Sequence, residues 1–187
     1  MPMERCAEIS RHYERQWANS VVPRSWGQGP VNELPPGFLV LEFPPSDARG
    51  MWTYATCCMS QPADAAPIEI HLFSATQEES HVELLTVIAH YHRTGRELGL
   101  AHTVNFGRPW LPGSACEFGV LSRPYLDGQE LEFLELSAAT TPVRCLWLVP
   151  ITRDEATFAK QNGLDALERE FERADLDYLD PNRASVV

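Results

Sequence analysis

Val143-Arg144-Cys145-Leu146-Trp147-Leu148-Val149 is the stretch on which the fold turns, and six of its seven residues are apolar. Seven residues suit a strand and are too few for a buried helix. Strand side chains point alternately to the two faces of a sheet, so an apolar residue at nearly every position means that both faces are covered. Such a strand belongs near the middle of its sheet. The segments around it are read against that one.

Upstream, His102 to Phe106, Glu117 to Ser122 and Glu130 to Leu136 are strand-length runs bounded by Gly or Pro. Further back, Phe38 to Phe43, Met51 to Met59 and Pro67 to Phe73 form three more, close enough in sequence for a meander. In the last, Ile68, Ile70 and Leu72 share one face while Glu69, His71 and Phe73 share the other. From Glu78 to Thr94 the period becomes helical, with Val82, Leu85 and Ala89 on one ridge and Leu84, Ile88 and Tyr91 on the next. Thr76 with Glu79 suggests a capping box, and Gly95 a left-handed stop. Cys6, Ile9, Tyr13 and Trp17 make an apolar stripe on a first helix. Pro23 to Gly37 reads as a loop pinned by Trp26 and Leu34. Thr152 with Glu155 opens a helix that stops near Gly163, Leu164 to Ala174 is another helix, and the tail frays from about residue 180. Strands first and helices inserted without strict alternation give an α+β fold: a mixed, mostly antiparallel central sheet with helices packed on its faces. The 187 residues suit a single domain, 1–187.

Fifteen Lys and Arg stand against 26 Asp and Glu, a net charge of -11. That field repels phosphate backbones, which argues against direct nucleic-acid binding, and it favours a basic partner. Part of the excess lies at Glu130, Glu132 and Glu135, and part between Asp165 and Asp180. The opening Met1-Pro2-Met3-Glu4-Arg5 lacks the apolar core of a signal peptide, and no run approaches the roughly 20 apolar residues of a membrane span, so a cytoplasmic location is expected. Five cysteines without a C-x-x-C pair fit neither a disulfide framework nor a zinc site. Reduced thiols are expected, with Cys57 and Cys58 as small strand residues on opposite faces.

No catalytic set emerges. His90 and His92 point about 200° apart on a helix, and His81 and His92 stand about 16 Å apart along its axis. An ion held by His71 with His102, or a metal-assisted hydrolase using His71, His90 or His102, is the catalytic alternative. There is no nucleophile elbow, and Gly95-Arg96-Glu97-Leu98-Gly99 lacks the spacing and lysine of a phosphate loop. No catalytic, cofactor or metal-ligating residue is therefore assigned. The run from His102 to Ser114 instead leads a strand into a loop stiffened by Gly107, Pro109, Pro112 and Gly113 around Trp110. Rigid loops carrying aromatics and arginine suit interfaces, because little ordering entropy remains to be lost. The alternative is that Trp110 turns inward and plugs the sheet edge. Arg108, Trp110, Tyr125, Asp127 and Glu130 are the candidate partner-binding residues.

The run His102-Thr-Val-Asn-Phe-Gly-Arg-Pro-Trp-Leu-Pro-Gly-Ser114, with Leu84-Leu85-Thr86 and His90-Tyr91-His92 before it, resembles the bacterial branch of the Suppressor of Fused domain. Trp52-Thr53-Tyr54-Ala55-Thr56 with Met59-Ser60, Leu121-Ser122-Arg123-Pro124-Tyr125, and Leu146 to Thr152 followed by Glu155 extend the likeness over most of the chain. Similar sequences often carry a glycine just before the Met-Ser pair, where this one has Cys58. The resemblance implies a mixed α/β, single-domain protein that binds other proteins without catalysis or cofactor. It further implies an immunity-type or sequestering role, the partner being a toxin domain, or a regulatory adaptor with a non-toxic partner. The acidic charge fits a basic toxin.

Overall fold

The structure is a computed structural model and describes residues 2–18, 20–29 and 31–187. Met1, at the head of the opening read above, and Pro30, within the 23–37 segment, lie outside the described residues. The helices are α1 (Pro2–Trp17), α2 (Glu79–Thr94), α3 (Gln129–Glu132), α4 (Arg153–Asn162) and α5 (Leu164–Arg173). The strands are β1 (Val22–Arg24), β2 (Leu39–Phe43), β3 (Trp52–Cys57), β4 (Ile68–Ser74), β5 (Thr103–Asn105), β6 (Phe118–Ser122), β7 (Phe133–Leu134) and β8 (Val143–Ile151).

The apolar 143–149 stretch does lie inside the sheet, whose order is β1-β2-β3-β4-β8-β6-β5 with β7 also on β8. Strand β8 runs parallel to β4, from Ile68↔Arg144 to His71↔Trp147. On its other side it runs antiparallel to β6, from Phe118↔Ile151 to Ser122↔Trp147. The other pairings are antiparallel, and β2, β3 and β4 form the expected meander. This is an α+β fold with a mixed, mostly antiparallel sheet of eight strands and five helices among the described residues.

Helices cover both faces. On one, α2 packs Val82, Leu85, Ile88 and Ala89 onto Ile68, Ile70, Leu72, Leu146 and Leu148. On the other, α1 packs Ile9, Tyr13 and Trp17 onto Leu41, Phe43, Ala55 and Val143. Beside α1, helices α4 and α5 pack Ala156, Leu164 and Leu167 onto Phe118, Val120, Trp147 and Ile151. Both alternating sets of β4 are therefore buried, including Glu69 and His71.

Several local expectations are corrected. The 130–136 segment is not one strand but the short helix α3 followed by two residues of β7. The reason is competition, since β6 holds Trp147 to Ile151 of β8 and leaves a short stretch of that edge, of which Val143 and Arg144 pair with β7. The segment after Trp17 is not all loop: Val22–Arg24 adds an edge strand to β2, and Val31–Glu33 makes one 3-10 turn. The capping box of Thr152 and Glu155 forms as expected, whereas that of Thr76 and Glu79 does not. The cap residue of α2 is Glu78, whose N–H donates to the Tyr54 hydroxyl at 2.8 Å. Gly95 ends α2 at φ -110, outside the left-handed region.

Cysteine chemistry differs most. Cys58 takes φ 65, a left-handed conformation that costs a residue with a β-carbon about 1–2 kcal/mol. Strand β3 breaks there, so that Cys58 turns toward α1 and forms a disulfide with Cys6. Free thiols remain at Cys57, Cys116 and Cys145.

The tail is also tied down rather than frayed. The Arg183 guanidinium donates to both carboxylate oxygens of the fully buried Glu155 at 2.7 Å and to the Pro150 carbonyl at 2.9 Å. Val186 N–H reaches the same carboxylate at 3.0 Å. Among the described residues, no helix is long and apolar enough to cross a membrane.

Candidate functional site

The two ends of the sheet differ. Strand β1 is three residues long and carries Pro23 and Arg24, both of which discourage a further strand from pairing. At the other end, β5 pairs only with β6 among the described residues. His102 O accepts from Leu121 N–H, and Phe106 N–H donates to Glu117 O. In an antiparallel ladder that alternation turns the backbone groups of Thr103 and Asn105 outward, away from β6.

Beside this edge lies a cleft of about 210 Å³ between β5 and α2, lined by Leu84, Val87, Tyr91, Val104 and Phe106. Val87 is 48% exposed and Tyr91 43% exposed, although both are large and apolar-bodied. Phe106 can form the cleft wall because its neighbour on β6 is glycine. A β-carbon on Gly119 would meet the Phe106 ring at 2.6 Å and Leu148 at 2.5 Å. Arg108, just past the strand, forms an exposed ion pair with Glu83 of α2.

The five sequence candidates do not converge. Arg108 stands by the β5 edge. Trp110 follows it but turns inward: it is 4% exposed, its ring stacks on His81 with centroids 5.4 Å apart, and Nε1 donates to Ser114 Oγ at 3.1 Å. The remaining three lie toward the opposite face. Tyr125 is exposed and donates its hydroxyl to Glu168 of α5. Asp127 has a buried carboxylate that accepts from Trp17 Nε1 at 3.0 Å and pairs with Arg49. Glu130 is exposed on α3. Trp110 and Asp127 thus brace the fold, and Arg108, Tyr125 and Glu130 remain accessible. Sequence reasoning missed Val87, Phe106 and Gly119, although a glycine inside a strand was a usable signal for close approach.

The histidines of the catalytic alternative are kept apart. His71 is fully buried on β4 with neither ring nitrogen bonded, and burial, helped by the Arg49 charge, lowers its pKa to about 3. His90 bonds Glu33 from α2, and His102 Nδ1 accepts from Gly99 N–H before β5. Among the described residues the one group of three close ligand atoms is Cys6, Cys57 and Cys58, and two of those sulfurs are joined.

The family model of the Suppressor of fused protein (SUFU) matches residues 35–184. A putative SUFU homolog from Neisseria gonorrhoeae is 30% identical with a TM-score of 0.85, over 99% of this chain and 98% of that one. A chain of the Sufu-Fu complex has a TM-score of 0.71 at 14% identity, with 98% of this chain and 92% of that one covered. Drosophila Suppressor of Fused gives 0.64 at 13% identity, where 97% of this chain spans 50% of the other. The latter two show likeness of fold alone. No curated protein matches the sequence. The match across 35–184, together with the full-length likeness to the Neisseria homolog, shows that this chain belongs to the Suppressor of fused family.

Proposed function

We propose that the domain holds a protein partner without catalysis, by accepting an extended segment of it along the β5 edge. The observation that carries this reading is the open edge itself: outward backbone groups at Thr103 and Asn105 beside an apolar cleft walled by Val87, Tyr91 and Phe106. An added strand draws affinity from main-chain hydrogen bonds and specificity from pockets for its alternate side chains. A related chain in a Sufu-Fu complex supports protein binding as the family's mode of action. We assign the domain an immunity-type or sequestering role in the cytoplasm against a basic partner such as a toxin domain, on the strength of its -11 charge. In that compartment the Cys6–Cys58 bond would form only under oxidative conditions.

The test is co-expression with the product of the adjacent gene, followed by pull-down and an assay of protection from toxicity. Complex formation with protection is the expected result, and neither appearing would overturn the immunity role. Val87→Glu with Tyr91→Glu should weaken the complex at least tenfold while leaving the thermal midpoint unchanged, since both side chains face solvent. Unchanged affinity would remove β5 and its cleft as the docking element.

A further inference from the structure

A second groove, on the face opposite α2, has a different chemistry. Trp147 and Phe171 line its base with Tyr178, and the exposed Tyr125 (57%) and Leu126 (47%) form one wall. Its volume is about 290 Å³. The groove is built on rigid parts. Trp147 comes from the central strand, and Tyr178 meets it edge-on with ring centroids 5.1 Å apart. Ser122 and Tyr125 both donate to Glu168, at 2.6 and 2.9 Å, which fixes the wall against α5.

The rim is acidic on the side of α5. Glu172 and Asp175 line it, both exposed, and neither is in an ion pair among the described residues. Of the neighbouring cations, Arg173 pairs with Glu170 and Arg49 with Asp127, while Arg123 lies beside the Tyr125 hydroxyl on the facing wall. Glu172 and Asp175 also flank the C-terminal end of α5, whose terminal carbonyls add negative potential where cations are normally preferred. The sequence thus places two carboxylates where the helix end disfavours them, above an aromatic base. Aromatic faces attract cations as well.

We propose that this groove takes an arginine- or lysine-bearing segment of the partner protein. The aliphatic stem lies over Trp147 and Tyr178, the charged head meets Glu172 and Asp175, and an apolar neighbour packs on Leu126. This rests on the protein-binding reading and adds a second, charge-selective contact on the face away from β5. A second copy of the chain is disfavoured as occupant, because at net charge -11 two copies repel.

The experiment uses the full chain and a synthetic peptide, acetyl-Arg-Leu-Arg-Leu-Arg-amide, with its glutamate counterpart as control, read by tryptophan fluorescence and NMR shifts. Binding is expected for the arginine peptide alone, weakened at least tenfold by Glu172→Lys with Asp175→Asn and unaffected by Val87→Glu with Tyr91→Glu. Asparagine at 175 suits the left-handed φ of 49 found there, so this variant keeps the fold. Equal binding of the glutamate peptide, no binding of either, or indifference to the rim variant would each overturn the proposal. So would a dimer by light scattering that Leu126→Asp dissociates. A groove that fails while the cleft variant still abolishes the partner complex refutes this inference alone, whereas absence of any partner complex refutes the reading beneath it.

Discussion

Trp110 shows how one ring decides between two roles. The loop around it has the composition of a presenting loop, and from the sequence alone both an outward and an inward ring are compatible with two prolines and two glycines. What settles it lies far away in sequence: His81 on α2 offers a flat partner, and Ser114 turns back to accept the indole N–H. Trp110→Ala should therefore lower stability by about 3–5 kcal/mol, the usual range for removing a buried aromatic, measured by urea denaturation. A change under about 1 kcal/mol would mean that the ring is not part of the core. His81 itself is buried without a hydrogen-bond partner, and burial, helped by the Arg108 charge, lowers its pKa to about 4. His71 falls to about 3 for the same leading reason. Both rings fold in their neutral form, so below the ordinary histidine pKa of about 6.5 the unfolded chain binds more protons than the folded one. Stability should hold above that value and fall as pH drops from about 6.5 toward 4 and 3, by at most about 1.4 kcal/mol per pH unit for each ring. His71→Gln with His81→Gln should flatten this slope in denaturation curves taken from pH 7 to 4, and an unchanged slope would assign the loss to other groups.

At the scale of elements, periodicity served best where burial is one-sided or complete. Helix α2 and strand β8 were both legible because their apolar pattern is set by the sheet they touch. The 130–136 segment was not, because its form depends on how much of the β8 edge the distant strand β6 leaves open. The turn at Cys58 was half legible: the departure from glycine was visible, its consequence was not. That turn brings Met59 N–H and Ser60 N–H onto the buried Glu69 carboxylate at 3.2 and 3.0 Å, joined by Ser60 Oγ at 2.7 Å and Thr56 Oγ1 at 2.6 Å. Arg5 of α1 then holds Ser60 through its hydroxyl and carbonyl. The left-handed conformation is needed for this cradle whichever residue occupies position 58, and cysteine adds a link to α1. The link closes a loop with a sequence separation of 52, which by chain entropy stabilises by roughly 4 kcal/mol. Cys6→Ser should lose most of that relative to the oxidised protein. Cys58→Gly should lose about 1 kcal/mol less, because glycine adopts φ 65 without the steric penalty. Calorimetry of both variants, with and without a dithiol reductant, checks this. Equal destabilisation by the two would show that the backbone at 58 is not strained.

At the scale of the whole molecule, the C-terminal tail closes the layer that carries the second groove. Composition made this segment look like a solvated acidic end, and what overrides composition is one cation. Arg183 enters a site where Glu155 has already been spent as the capping partner of Thr152, and it neutralises a carboxylate that is 0% exposed. Burial alone would push the Glu155 carboxyl up; Arg183 and the backbone donors at Thr152 and Val186 outweigh it and hold the pKa below the usual range. The stability this pair contributes is therefore present above the unfolded carboxyl pKa of about 4.3 and is lost as pH falls through the lower folded value. Arg183→Met leaves a buried charge unpaired and should destabilise by about 3–5 kcal/mol at pH 7. The double variant Arg183→Met with Glu155→Gln removes the charge as well and should recover part of the loss, whereas tail residues that merely cover the surface would show no such coupling. Amide exchange gives the second reading. In Arg183→Met the amides of 176–187 should lose protection while those of α2 and β3 keep theirs, because the pair ties the tail to Glu155 of α4 and Pro150 of β8 rather than to the distant face. Global loss of protection would instead make the tail an integral part of the sheet's cooperative unit, and groove and core would then rise and fall together.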